Sequence, residues 1–110
     1  MARGAGDLDR RVTIEAPGEV QDAAGEPVKT WAPIPDGVVW GEKIELSGTE
    51  LFRAQQTDSR VTTQWTIRHR SDVDGRMRVV DGKSVYDILS AYEGPGRRVW
   101  LVLLCTRSAN

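Results

Sequence analysis

Apolar and polar positions alternate with period two over most of this chain, the pattern of half-buried β-strands. Arg11-Val12-Thr13-Ile14-Glu15 turns Val12 and Ile14 to one side. Pro17-Gly18 predicts the end of that strand. The segment Gln21-Asp22-Ala23-Ala24-Gly25-Glu26-Pro27 reads as a long polar hairpin tip. Val28 to Ala32 returns as a second strand carrying Trp31. Pro33, Pro35 and Gly37 are expected to break it, because proline donates nothing to a ladder. Val38 to Leu46 forms a third strand, and Thr57 to Arg60 a loop. Val61 to Arg70 is the clearest strand, with Val61, Thr63, Trp65 and Ile67 on one face and Thr62, Gln64, Thr66 and Arg68 on the other. After a turn at Ser71 to Gly75, Met77 to Val80 and Ser84 to Tyr92 pair across Asp81-Gly82, a strong two-residue hairpin signal. Glu93 to Gly96 turns again. The near-continuous apolar run Val99 to Thr106 predicts a last strand covered on both faces.

One junction breaks the pattern. The third strand stops at Ser47 and a short helix follows, running to about Gln56. Ser47 and Glu50 have capping-box spacing, in which the serine oxygen accepts from the N3 amide and the glutamate reaches back to the cap amide. A helix of barely two turns is marginal in water, so it must dock on its own domain or on a neighbour. About seven strands and one helix close most economically as a small antiparallel β-barrel or sandwich, which removes exposed edges. Of the four tryptophans, Trp40 and Trp65 are expected in the core, and Trp31 and Trp100 at an interface.

Composition narrows the function. The chain has 110 residues, enough for one domain burying roughly 65% of its unfolded surface. Residues 1–9 are expected to be a flexible arm, 10–107 the barrel domain and 108–110 a tail. A net charge of −1 argues against a wholly basic nucleic-acid binder. Twelve arginines against three lysines suit bidentate and interface pairing, and equally suit a GC-rich genome. The single cysteine, Cys105, excludes an intramolecular disulfide and a two-cysteine metal knuckle, and fits a reducing cytoplasm. No apolar run approaches the roughly 20 residues a membrane helix needs.

Candidate chemistry is sparse. His69, Asp72, Asp74 and Cys105 offer a nucleophile and a base, but nothing in the spacing fixes an orienting acid, so no catalytic residue is assigned. Asp72-Val73-Asp74-Gly75 resembles the start of a calcium loop without the later oxygen ligands, and reads as an aspartate-rich turn. No metal or cofactor site is assigned. Arg68, Arg70, Arg76 and Arg78 fall around one turn and form a candidate DNA-binding or interface patch, partly cancelled by Asp72 and Asp74.

Taken in order, several short segments resemble the phage head closure proteins, also called head–tail joining proteins or stoppers. They are Arg11-Val12-Thr13-Ile14, Gly25-Glu26-Pro27-Val28 leading to Trp31, Trp40-Gly41-Glu42, Ser47-Gly48-Thr49-Glu50 with Ala54-Gln55-Gln56, Thr66 to Arg70, Met77-Arg78-Val79 with Tyr86-Asp87-Ile88, and Leu103-Leu104-Cys105. The insert Pro33 to Gly37 is longer than the family's usual turn. The resemblance implies a non-enzymatic virion protein, made in the bacterial cytoplasm. In the particle it would form a ring, a dodecamer, at the portal vertex of a tailed phage or gene transfer agent. Its implied partners are the head–tail adaptor, the tail terminator, further copies of itself and the packaged DNA it retains. Within that frame Ser47, Glu50, Phe52, Gln55, Gln56, Thr57, Asp58, Ser59 and Arg60 are expected at the channel, as a gate, or at the next subunit. Gln21, Asp22, Gly25 and Glu26 are expected at the adaptor or tail. Two other readings stand: another small head–tail or tail-completion protein, and a nucleic-acid-binding barrel using Arg68 to Arg78.

Overall fold

The computed structural model describes residues 8–108. Six strands, β1 Arg10–Gln21, β2 Pro27–Glu45, β3 Thr63–Arg68, β4 Arg78–Asp81, β5 Ser84–Glu93 and β6 Trp100–Arg107, and one helix, α1 Gly48–Gln55, make up the fold. The strands close an antiparallel barrel in the order β1-β2-β3-β6-β5-β4, with β4 pairing back onto β1. Of the expected arm, residues 1–7 lie outside the described residues, while Leu8 is buried. Of the expected tail, 109–110 lie outside them, and Ser108 donates its amide to the Val85 carbonyl.

The seventh strand disappears because the prolines do not break β2. Register runs Thr13↔Val38 and then Glu15↔Pro33, so residues 34–37 bulge opposite Ile14. A bulge removes ladder bonds where Pro35 has no N–H to give, and the strand continues on either side. The bulge turns inward: Ile34 joins the core and Asp36 adopts a φ of 51°. Gly37 is required there, since a Cβ would lie 2.8 Å from the backbone oxygens of both Ile14 and Ile34.

The barrel interior holds Val12, Ile14, Trp65, Ile67, Val79, Tyr86, Ile88, Leu101, Leu103 and Cys105. Trp65 fills its centre, with its ring 5.5 Å from that of Tyr86 in a T-shaped contact. Opposite it stands Gly41, whose Cβ would come within 3.2 Å of the indole. That glycine sets the phase of β2, so Trp40 points outward and is 52% exposed, contrary to the core position expected for it. Trp100, expected at an interface, is buried instead.

β6 is covered on both faces, as its apolar run requires. Leu101, Leu103 and Cys105 face the interior, while Val102 and Leu104 face outward against Val61, Leu46, Ala54 and Leu89. Ala54 belongs to α1, so the helix docks on its own barrel. The capping box does not form: Ser47 is the N-cap but makes no side-chain cap bond. Gly48, the first helical residue, has a left-handed φ of 57°, which turns the following amides away from the serine oxygen. The β4–β5 turn is also one residue later than expected. Asp81 pairs with Ser84, leaving Gly82 and Lys83 as the loop. Gly82 has a φ of 60°, as the first central residue of a primed turn needs.

Candidate interaction surfaces

The most prominent surface is a two-stranded ribbon. β1 and β2 stay paired from Ala16↔Ala32 out to Gln21↔Pro27, and residues 17 to 29 are all exposed. The polar tip predicted from the sequence is therefore the end of a projecting arm, and the molecule is 54 Å long by 29 Å and 25 Å across. The tip is well defined by its own chemistry. The Asp22 carboxylate accepts from the amides of Ala24 (2.9 Å) and Glu26 (3.0 Å), and Gly25 takes a φ of 83°. One face of the ribbon carries the exposed cross-strand pair Val20 and Val28. At its base the Trp31 ring lies 4.3 Å from the Arg78 guanidinium and 4.9 Å from the Lys29 ammonium. Arg78 also pairs with Glu15 at 2.7 Å.

The segment after Ser47 forms a second surface. α1 buries no residue fully, and Phe52 is 67% exposed. Between α1 and the sheet runs a groove of about 490 Å³, lined by Ile44, Leu46, Ala54, Gln64, Tyr92 and Leu104 among others. Gln55 Nε2 donates to the Val61 carbonyl at 3.0 Å. Asp58 and Arg60 close the loop between them, with contacts at 2.8 and 3.1 Å between side chains and a backbone bond at 2.9 Å. Ser47, Glu50, Gln56, Thr57 and Ser59 are exposed along the same edge.

The arginine turn does not make one cluster of open cations. Arg70 forks onto Asp72 at 2.6 and 2.8 Å and reaches the carbonyls of Pro35 and Asp36, both at 2.8 Å, tying the β2 bulge to the β3–β4 turn. Arg76 pairs with Asp74 and Arg78 with Glu15. Arg68 lies 5.5 Å over the Trp100 ring. Each guanidinium thus serves a separate local contact.

A groove of mixed charge, sharing Arg68, Arg70 and Asp72 with this turn and adding Asp36 and Arg98, lies around Trp40. Trp40 has the Arg11 guanidinium 5.7 Å from its ring, and the groove is open, with a volume of about 990 Å³. Leu8, Val39, Arg68, His69, Ser71 and Arg98 also line it. Sequence inspection missed Arg11, Trp40 and Arg98 here, because they lie on three separated segments. The outward phase forced by Gly41 is the signal that would have exposed Trp40.

The candidate catalytic set is dispersed. Cys105 pairs with Thr63 at one end of β3, while His69 follows Arg68 at the other. At ~3.3 Å per residue that separation is roughly 20 Å. Burial in the core pushes the Cys105 thiol far above its ordinary range. The calcium-like turn has its two carboxylates engaged by Arg70 and Arg76.

Those paired aspartates give the surface a pH dependence. The hydrogen bond from Arg60 brings the Asp58 carboxyl from 3.8 down to about 2, and hydrogen bonds from Arg70 and Arg76 lower Asp72 and Asp74. A lowered folded pKa adds stability above the unfolded value, lost as acid titrates the folded carboxylate. The melting temperature should therefore fall between pH 3.8 and about 2. It should fall by less in Asp58→Asn, and an unchanged acid limb in that variant would refute the assignment.

Residues 3–108 match the family model for the phage head completion protein. Among curated proteins, none matches the chain in sequence. The fold is shared with solved structures, among them two that align over nearly the whole chain. The solution structure of protein SF1141 from Shigella flexneri 2a is 22% identical, with a TM-score of 0.73, over 97% of this chain and 98% of that one. A chain of the virion of a native gene transfer agent particle is 19% identical, with a TM-score of 0.59, over 93% of this chain and 96% of that one.

Proposed function

This chain belongs to the phage head completion proteins, and on that premise we propose that it is a stopper: a ring-forming virion component that closes the DNA-filled head and receives the tail. The family match across nearly the whole chain carries this reading. A closed barrel with a projecting ribbon and partnered surface charges supports a role in assembly rather than turnover. The proposed partners are the head–tail adaptor, the tail terminator, the packaged DNA and further copies of the chain, twelve in the assembled ring. Particles made without the protein should package DNA and then lose it, with no tail attached. Particles that keep their DNA and join tails normally would end the stopper reading.

Within the ring, the segment Ser47 to Arg60 faces the channel or the next subunit. Phe52, a large apolar side chain left in solvent on a helix that otherwise docks on its own barrel, supports this. Deleting Thr57 to Arg60 removes the Asp58–Arg60 closure. Particles carrying that deletion are expected to leak DNA. Normal retention and joining would assign the segment a purely local role.

The arm tip, Gln21 to Pro27, reaches the adaptor or the tail. The nucleic-acid reading has less support, since Arg70, Arg76 and Arg78 are each held by a carboxylate.

A further inference from the structure

The arm and the Trp40 groove are complementary in charge and chemistry, and they are too far apart to meet within one chain. From Ala16 to Lys29 the arm carries three acids, Glu19, Asp22 and Glu26, and one base, Lys29, which stands opposite Glu19 with its ammonium over Trp31. The arm's apolar pair, Val20 and Val28, is left in solvent, Val20 at 54% exposure. The groove offers the outward-facing Trp40 ring as its apolar surface, with Arg68 and Arg98 also lining it. Its carboxylates are Asp36 and Asp72, the second held by Arg70. Val28 and Trp40 lie on one continuous strand, so at ~3.3 Å per residue they are roughly 30 Å apart, discounting the bulge. An arm cannot fold back into its own groove.

We propose that the arm of one copy lies in the Trp40 groove of the next, Val20 and Val28 against Trp40, with Glu26 beside Arg68 and Arg98. The contact is head-to-tail: each copy gives an arm and receives one. Heterologous contacts of this kind close into rings. The groove accommodates only part of the ribbon, so the turn at Asp22 to Glu26 emerges past it, where it meets the adaptor or tail. This inference rests on the ring reading above but specifies a contact that the ring reading does not require.

Cross-linking tests it with the isolated chain. Val20→Cys and Ser71→Cys, both at exposed positions, place thiols on the arm and at the groove. Cys105 is buried and contributes no background. The two variants are mixed at high concentration in low salt, one bearing a size tag, under mild oxidation. The mixed disulfide dimer should exceed that of Val20→Cys with Lys83→Cys, at an exposed turn, by about tenfold. Arg68→Glu with Arg98→Glu in the groove copy should abolish the excess, and Glu26→Arg in the arm copy should restore part of it. The doubly substituted chain, Val20→Cys with Ser71→Cys, should form a ladder beyond the dimer. No excess over the control, insensitivity to charge reversal, or products that stop at the dimer would each overturn the proposal. The DNA-retention experiment decides the stopper reading separately.

Discussion

Trp65→Ala should cost about 3–5 kcal/mol of folding stability, the range for emptying a fully buried aromatic site. In a domain this small that is a fall of roughly 15–30 °C in melting temperature. The indole has no exposed surface and sits at the centre of the barrel, against Tyr86 and over Gly41. The surrounding strands are closed on themselves and have little room to collapse inward, so the cavity term persists. The indole N–H finds no acceptor among the described residues. Trp65 is there for its volume, and Trp65→Phe should cost less than half as much. Trp40→Ala, at a half-exposed ring touched by Arg11, should cost no more than about 1 kcal/mol. Thermal or denaturant unfolding of the three variants checks the order, and equal losses for Trp40 and Trp65 would contradict the barrel assignment.

Replacing the arm tip, Gln21 to Pro27, by Asn-Gly should leave the barrel intact and stop tail joining. The removed residues are exposed, and the bonds they lose are internal to the tip, Asp22 to Ala24 and Glu26. Stability should change by only about 0.5 kcal/mol, as for surface changes away from special features. Loss of a contact hot spot worth about 2 kcal/mol weakens binding roughly 30-fold, and in a ring the same loss recurs in every copy. The expected result is a folded, soluble chain with an unchanged melting curve and particles without tails. Normal joining by such particles would remove the arm from the mechanism.

The sequence displays the barrel walls because each is a local pattern. Val12 and Ile14, the alternation from Thr63 to Ile67 and the run from Trp100 to Cys105 face where their period places them, whereas Val61, expected beside Trp65, precedes the strand and packs outside the barrel with Val102 and Leu104. The polar tip was legible for the same reason, but the ribbon beneath it was not: Pro17-Gly18, expected to end the first strand, lies within β1, with Pro17 paired to Trp31. What failed depended on partners far along the chain. Pro33 and Pro35 look like strand breakers until Ile14 is seen opposite a bulge that needs no N–H from them. Trp40 and Trp65 look alike until Gly41 is found making room for one and thereby turning the other out. Ser47 and Glu50 have the right spacing for a box, but the left-handed Gly48 between them spoils the geometry. The arginines near the β3–β4 turn form a patch on paper. In space Arg70 bridges to the β2 bulge and Arg78 to Glu15, contacts separated by 35 and 63 residues.

That β2 runs as one strand from Pro27 to Glu45, through the bulge at residues 34–37, has a mechanical consequence. A projection joined to its body by a loop swivels, and a load at its end is dissipated at the hinge. Here arm and wall are one strand, and Trp31, clamped by Arg78 and Lys29, braces the root like a bracket. The arm is a cantilever: force on the tip passes as shear into the ladder with β1 and on into the barrel. Its angle is set before any partner arrives, so capture spends little on ordering it. Tension across a joint built from such parts would bear on whole barrels rather than on single loops.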